Sequence, residues 1–301
     1  MSPGWLVHLG LVTGCGPAIE DADVLPGDTE HVFSFAVLAD PHLTTDADRT
    51  ERLEAAVAWL EDHAEPRRIE LVFIVGDIGW DGGLPVAKEA LDQLPVPYVP
   101  ILGDNEVQYG AEQTFDTVFQ PVFADLESRF DTFNRAPVEV YNPEHDTLSW
   151  FQNLSFEHRD VHFVGLDWNA REIGTIFGEM ADLHDFDGGS WPWFAARLGI
   201  LAGQGPTENV VLLSHHPMHM GVGAFDVDEM DTVAALTSSL AEHVAGNYAG
   251  HYHFDMDVTL EDAGYDLHVT DATWDDDNRI RVTEVWSDGT AFEYRQELIT
   301  P

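Results

Sequence analysis

Apolar runs along this chain recur in a strand, loop and helix rhythm, and five of the runs stop at short polar motifs. Val32 to Leu38 is a β-prone run ending at Asp40-Pro41-His42. A helix over Ala47 to His63 follows, with Leu53, Ala56, Val57 and Leu60 on one face. Glu70 to Val75 repeats the unit, ending at Gly76-Asp77 before a shorter helix over Pro85 to Leu94. Tyr98 to Leu102 is a third run, ending at Gly103-Asp104-Asn105-Glu106. Asn209 to Ser214 is almost wholly apolar, as a strand in a sheet covered on both faces must be, and His215-His216-Pro217 follows it. Asn247 to Ala249 lead into Gly250-His251-Tyr252-His253.

The connecting segments read less sharply. Between Val107 and Trp150, Phe115, Phe119, Phe123, Phe130 and Phe133 recur at near-helical spacing and read as core; the segment can also wall a pocket, since it directly follows a motif. Trp150 to Phe156 and Val161 to Leu166 predict an antiparallel pair around His158-Arg159-Asp160. Trp191 to Leu201 predicts a helix with Pro192 in its first turn, where a missing N–H is harmless. Glu229 to Ala245 predicts another. Beyond the last motif come strands over Met256 to Leu260, Asp266 to Thr270, Arg279 to Val285 and Ala291 to Gln296, with a hairpin turn at Ser287-Asp288-Gly289.

With 301 residues, 44% of them hydrophobic, the chain can bury one large core, which predicts a single domain over 31–301. Its charge is lopsided: 13 Lys+Arg against 55 Asp+Glu give a net −42, and Lys88 is the only lysine. Such a surface repels nucleic acid and anionic headgroups, so no nucleic-acid partner is expected. Cys15 is the single cysteine, which excludes an intramolecular disulfide. The apolar run Trp5 to Val12, followed by Val12-Thr13-Gly14-Cys15, resembles a bacterial lipoprotein signal, although it is short and no Lys or Arg precedes it. Residues 1–15 therefore predict an export signal and a lipid anchor on Cys15 as the only link to a membrane. The acidic, Pro- and Gly-containing stretch 16–30 predicts a tether.

Singly, each motif has a plain explanation. Asp40 can be a loop residue before Pro41, Asp77 a turn former, His215 a satisfied core histidine, and His-x-His a shared strand face. Jointly they fall in order at five strand ends, where side chains distant in sequence converge in open α/β sheets. The inventory is carboxylate, amide and imidazole without thiolate, which suits Fe, Mn, Zn or Co. Seven such ligands are too many for one ion, and two ions sharing a carboxylate about 3.5–4 Å apart, with hydroxide between them, are the natural arrangement.

The order Asp40-x-His42, Gly76-Asp77, Gly103-Asp104-Asn105-Glu106, His215 and Gly250-His251-x-His253 resembles the calcineurin-like metallophosphoesterase family, over about His31 to Gln296. The resemblance implies a four-layer α/β/β/α sandwich, two mixed sheets flanked by helices. It also implies hydrolysis of a phosphomonoester or phosphodiester, on a small molecule or a peptide, by attack of a metal-bound hydroxide. Asp40, His42 and His253 would hold one of two metal ions (Fe, Mn or Zn), His215, His251 and a residue of the third motif the other, and Asp77 would bridge.

Where most members read Gly-Asn-His-Asp/Glu, this chain has Gly103-Asp104-Asn105-Glu106. Keeping both flanks in place makes Asp104 the ligand and puts Asn105 where a catalytic histidine stands; a shifted alternative makes Asn105 the ligand. Asn105 can stabilise developing charge but cannot act as a general acid, which leaves His216 or His219 as candidates for that proton. With Asp104, two divalent ions, a hydroxide and three carboxylates sum to zero, one charge lower than with asparagine, which points to a trivalent ion or to singly charged diesters. Trp80 replaces the tyrosine that purple acid phosphatases carry three residues after the bridging aspartate, so no coloured Fe(III)-tyrosinate is expected. The competing reading is a non-catalytic, metal-binding surface lipoprotein. Arg171, after Asp167-Trp168, reads as an exposed arginine, with a substrate phosphate as the sharper alternative.

The charge balance generates a test of its own. Molar salt shrinks the Debye length to about 3 Å and mutes self-repulsion, so denaturant midpoints should rise between low and molar salt. A flat or falling midpoint would contradict adaptation to high salt.

Overall fold

The computed structural model describes residues 29–45, 47–135, 138–142, 146–171, 180–184, 190–201, 206–218, 224–225, 227–275 and 278–301. The expected leader over 1–15 with Cys15, the tether up to residue 28, and His219 lie outside the described residues.

Two mixed sheets carry the fold. In the first, β1 (Glu30–Leu38) runs parallel to β2 (Ile69–Val75), which is parallel to β3 (Tyr98–Ile101). On the other side β1 pairs antiparallel with β13 (Ile280–Ser287), and β14 (Phe292–Ile299) closes the edge. In the second, β8 (Val161–Leu166), β9 (Val210–Ser214), β10 (Val244–Ala249) and β12 (Tyr265–Val269) are parallel. Antiparallel β11 (Met256–Leu260) flanks them on one side, and β7 (Leu154–His158) with β4 (Asn134–Arg135) on the other. β5 (Val138–Asn142) and β6 (Thr147–Phe151) form a separate two-stranded ribbon packed beside α4.

The two-residue period of the strands decides which side chain meets which layer. On β8 and β9, Phe163, Val211 and Leu213 point into the layer between the sheets, while Val164, Leu166, Val210 and Leu212 face helices on the other side. Between the sheets Phe35 of β1 meets Phe163 and Tyr248 edge-on at 5.5 and 5.1 Å, and Phe73 of β2 lies 4.8 Å from Phe163. Helices α1 (Ala47–Arg67), α2 (Gly83–Leu91) and α4 (Glu112–Arg129) cover the first sheet; α5 (Ser190–Leu201) and α6 (Val227–Ser238) cover the second. The short α3 (Asp104–Gln108) begins within the third motif. This is the expected sandwich. No described helix is long and apolar enough to cross a membrane.

Three expectations are corrected. The single strand over Trp150 to Phe156 is two, because Gln152 and Asn153 turn inward. The Gln152 N–H donates to Asp167 Oδ2 (3.0 Å), and Asn153 Oδ1 accepts the Asp167 N–H (3.0 Å). The helix expected to run to Ala245 stops at Ser238, where Thr237 and Ser239 hydroxyls bond to carbonyls three and four residues back. Val244 to Ala249 is instead a parallel strand beside β9. Arg171 is neither exposed nor turned to a substrate: it is 0% exposed, ion-paired to Asp167 (2.6 Å) and Glu112 (2.7 Å), and stacked over Phe151. Removing one partner from such a buried pair costs about 3–5 kcal/mol, so this cluster fixes how α4, the β6–β7 turn and the end of β8 meet. Asn169, whose carbonyl also accepts from Arg171, donates from its amide to the Leu102 carbonyl (3.2 Å) just before the third motif.

Candidate metal centre

All five motifs lie at the carboxyl ends of parallel strands, three from the first sheet and two from the second. Because the sheets are stacked, these ends meet. His215 Nε2 is 2.8 Å from Asp104 Oδ1 and 3.4 Å from Asp77 Oδ1, and His42 Nε2 is 3.0 Å from Asp77 Oδ2. His253 Nε2 lies 3.5 Å from Asp40 Oδ1, and His251 Nδ1 lies 3.7 Å from Asp104 Oδ1. Asp40, His42, Asp77, Asp104 and His215 are buried; His251 and His253 are half-buried.

Such convergence requires backbones to approach more closely than a Cβ permits. At Gly103 an added Cβ would fall 2.0 Å from the Asp77 nitrogen, and at Gly250 2.4 Å from Asp40 Oδ2. The loops themselves are bent: Asp40, His42, Asp77, His251 and His253 all have φ between 48° and 69°. Aspartate and histidine tolerate this left-handed region better than most side chains, yet each still costs about 1 kcal/mol. Cross-bonds hold them there. The His42 N–H donates to the Asp77 carbonyl (2.8 Å), the His251 N–H to Asp40 Oδ2 (2.9 Å), and the Gly250 N–H to the His215 carbonyl (3.1 Å).

The third motif divides its work. Asp104 points its Oδ1 toward His215 and His251, while its Oδ2 accepts from Gln108 one helical turn on (2.8 Å). Asn105 turns to Asp77 instead: its N–H donates to Oδ1 (2.9 Å) and its side-chain amide to Oδ2. Fully buried Glu106 accepts the Gly79 N–H (2.7 Å) and the Gly103 N–H (2.8 Å), tying the second motif to the third.

At this centre, among the described residues, three groups of potential ligands emerge, each with its donor atoms within 4.8 Å of one another: Asp40, His42 and His253; Asp104, His215 and His251; and Asp40, Asp77 and His215. The residues fit cations. All donors are hard oxygens or imidazole nitrogens, and Asp40 Oδ1 and His42 Nε2 are buried and held within ion-pair distance of their neighbours without a well-directed hydrogen bond. Sequence reasoning missed Gln108, legible only as the i+4 neighbour of Asp104 on a helix. It also missed Trp274, which stacks on His42 (5.6 Å, 14°) and was hidden in a loop.

The buried carboxylates and imidazoles shift one another's protonation. Burial opposes charge on Asp40 and Asp104, but the neighbouring imidazoles outweigh it and hold both carboxyls below the usual range. Burial would likewise lower His42 and His215. Asp40 and Asp77 instead raise His42 to about 9, and Asp77 with Asp104 raises His215 well above its ordinary value. Burial, with the nearby Asp77 charge, pushes Glu106 up to about 8. A bound metal would therefore displace protons from these imidazoles.

The sign of the resulting pH dependence follows. A folded pKa of about 9 against an ordinary 6.5 means that the ion pairs of His42 stabilise the metal-free fold fully below pH 6.5 and are lost as pH rises through 9. Glu106, raised to about 8, acts in the same direction. Calorimetry should find the melting temperature of metal-free protein falling between pH 6.5 and 9, and falling less with Mn2+ bound. A flat or rising metal-free profile would contradict this.

Against known proteins, the sequence pattern of calcineurin-like phosphoesterases matches residues 33–270. No curated protein matches the chain in sequence. Among solved structures, a putative 5'-nucleotidase from Staphylococcus aureus in complex with alpha-ketoglutarate aligns at TM-score 0.51 and 12% identity, over 89% of this chain and 54% of its own. A sulfate thiohydrolase from Thermus thermophilus aligns at TM-score 0.48 and 10% identity, over 93% of this chain and 58% of its own. The chain thus spans just over half the length of either structure, and the first likeness speaks for the fold. With the motifs in place and the family's pattern covering most of its length, the chain belongs to the calcineurin-like phosphoesterase family.

Proposed function

We propose that the chain is a dinuclear-metal-dependent phosphoric ester hydrolase that prefers singly charged diesters. The observation that carries this reading is Asp77, with one carboxylate oxygen 3.0 Å from His42 and the other 3.4 Å from His215, between the two outer ligand groups. Asp40, His42 and His253 would hold one ion of Fe, Mn or Zn, and Asp104, His215 and His251 the other, with Asp77 shared. When bound, such a pair supplies Lewis acidity toward a phosphoryl oxygen and a nucleophile drawn from water near neutral pH.

The protein's own groups do the rest. Asn105 clamps both oxygens of Asp77 and so fixes the shared carboxylate; its amide carries no proton to transfer. His216, fully buried with its ring 4.5 Å from that of His251, is a candidate to protonate the departing alcohol. Asp104 in place of an amide lowers the charge of the centre by one, which weakens attraction for a dianionic monoester more than for a monoanionic diester.

Assay of p-nitrophenyl phosphate and bis(p-nitrophenyl) phosphate with Mn2+ should give a higher kcat/KM for the diester. Asp77→Asn should lower it at least about 100-fold, since loss of even an outer-shell partner of a metal site costs 10–100-fold. A much faster monoester would reject the diester preference. A chain that binds Mn2+ and melts lower without it, yet cleaves neither ester, would be the non-catalytic metal-binding relative.

A further inference from the structure

Three aromatic side chains stand about half exposed among the described residues: Tyr109 (56%), Tyr141 (56%) and Phe254 (50%). Tyr141 bonds to Asp146 across the β5–β6 ribbon (2.7 Å). The other two belong to stacked pairs that abut the candidate metal centre. Tyr109 stacks on Trp80 (5.1 Å, 14°), and Trp80 packs edge-on against His42 (5.2 Å). Phe254 stacks on Tyr252 (5.4 Å, 15°), and Tyr252 lies against His251 (5.8 Å). One pair therefore borders each outer ligand group.

The charge distribution explains why such surface would matter. A chain of net −42 with three buried aspartates at its centre offers an anionic ester little long-range attraction. Arg49, beside the first group, is engaged by the His42 carbonyl (2.6 Å) and the Trp274 ring, and Arg171 is fully buried in its own ion pairs. With both of these cations engaged, uncharged contact is a ready source of affinity beyond the metal centre. Aromatic faces provide it for a planar ring by offset stacking, which salt does not screen.

Resting on the hydrolytic reading above, we propose that the Trp80–Tyr109 and Tyr252–Phe254 pairs form the leaving-group side of the site and select phosphoesters of planar aromatic or heteroaromatic alcohols. The test uses full-length, Mn2+-loaded protein and two singly charged phosphinates that cannot be hydrolysed, benzyl(methyl)phosphinate and cyclohexylmethyl(methyl)phosphinate. They share the same anion and differ in the flatness of the ring. Calorimetry should find the benzyl compound bound about tenfold tighter, the scale of one stacking contact. In the double variant Tyr109→Leu, Phe254→Leu, which keeps apolar bulk but removes both rings, that preference should shrink to about twofold or less. Equal affinities in the parent, undetectable binding of both, or a preference that survives the double substitution would overturn the assignment. Hydrolysis of the nitrophenyl esters is read separately, so an enzyme that cleaves esters without this discrimination refutes the subsite alone.

Discussion

Three aspartates buried within reach of the same histidines cannot coexist without positive charge between them, and this constraint governs the rest of the structure. Asp40 and Asp77 favour a proton on His42, and Asp77, Asp104 and Asp40 favour one on His215, so imidazolium is one source of that charge. Divalent cations meet the same need with more charge and fixed geometry. Protons and cations compete for the same donors, which links occupancy, stability and pH.

The fold serves that convergence. Aromatic packing of Phe35 and Phe73 against Phe163 and Tyr248 holds the two sheets face to face, which brings three strand ends of one sheet to two of the other. Glycines 103 and 250 then allow the loops to meet where any side chain would collide with Asp77 or Asp40. Left-handed backbone at five of the seven candidate ligands is the local cost of aiming short side chains inward, offset by bonds that cross from motif to motif.

Much of this was legible in the sequence because strand ends carry their own punctuation. β8 and β11 fall at the expected residues, and β1, β2, β3 and β9, four of the five strands bearing motifs, fall within two residues of them. What escaped was settled by contacts distant in the chain. Asp167 draws in the Gln152 and Asn153 backbone and so breaks a continuous apolar run. A register beside β9 claims Val244 to Ala249, whose composition also suits a helix. Arg171 looked like surface because neither its distance from Glu112 nor the fold around Asp167 is written locally. The Asp104-Asn105 ambiguity is of the same kind: helical geometry at the start of α3 sends adjacent side chains to different partners, Asp104 to His215 and Asn105 to Asp77.

The central claim is that a single shared carboxylate sits between two cations. Anomalous diffraction from crystals soaked in Mn2+ measures this directly. The account requires two peaks roughly 3.5–4 Å apart, one beside Asp40, His42 and His253 and one beside Asp104, His215 and His251, with Asp77 touching both. A single peak, or peaks that leave Asp77 uncoordinated, would contradict it.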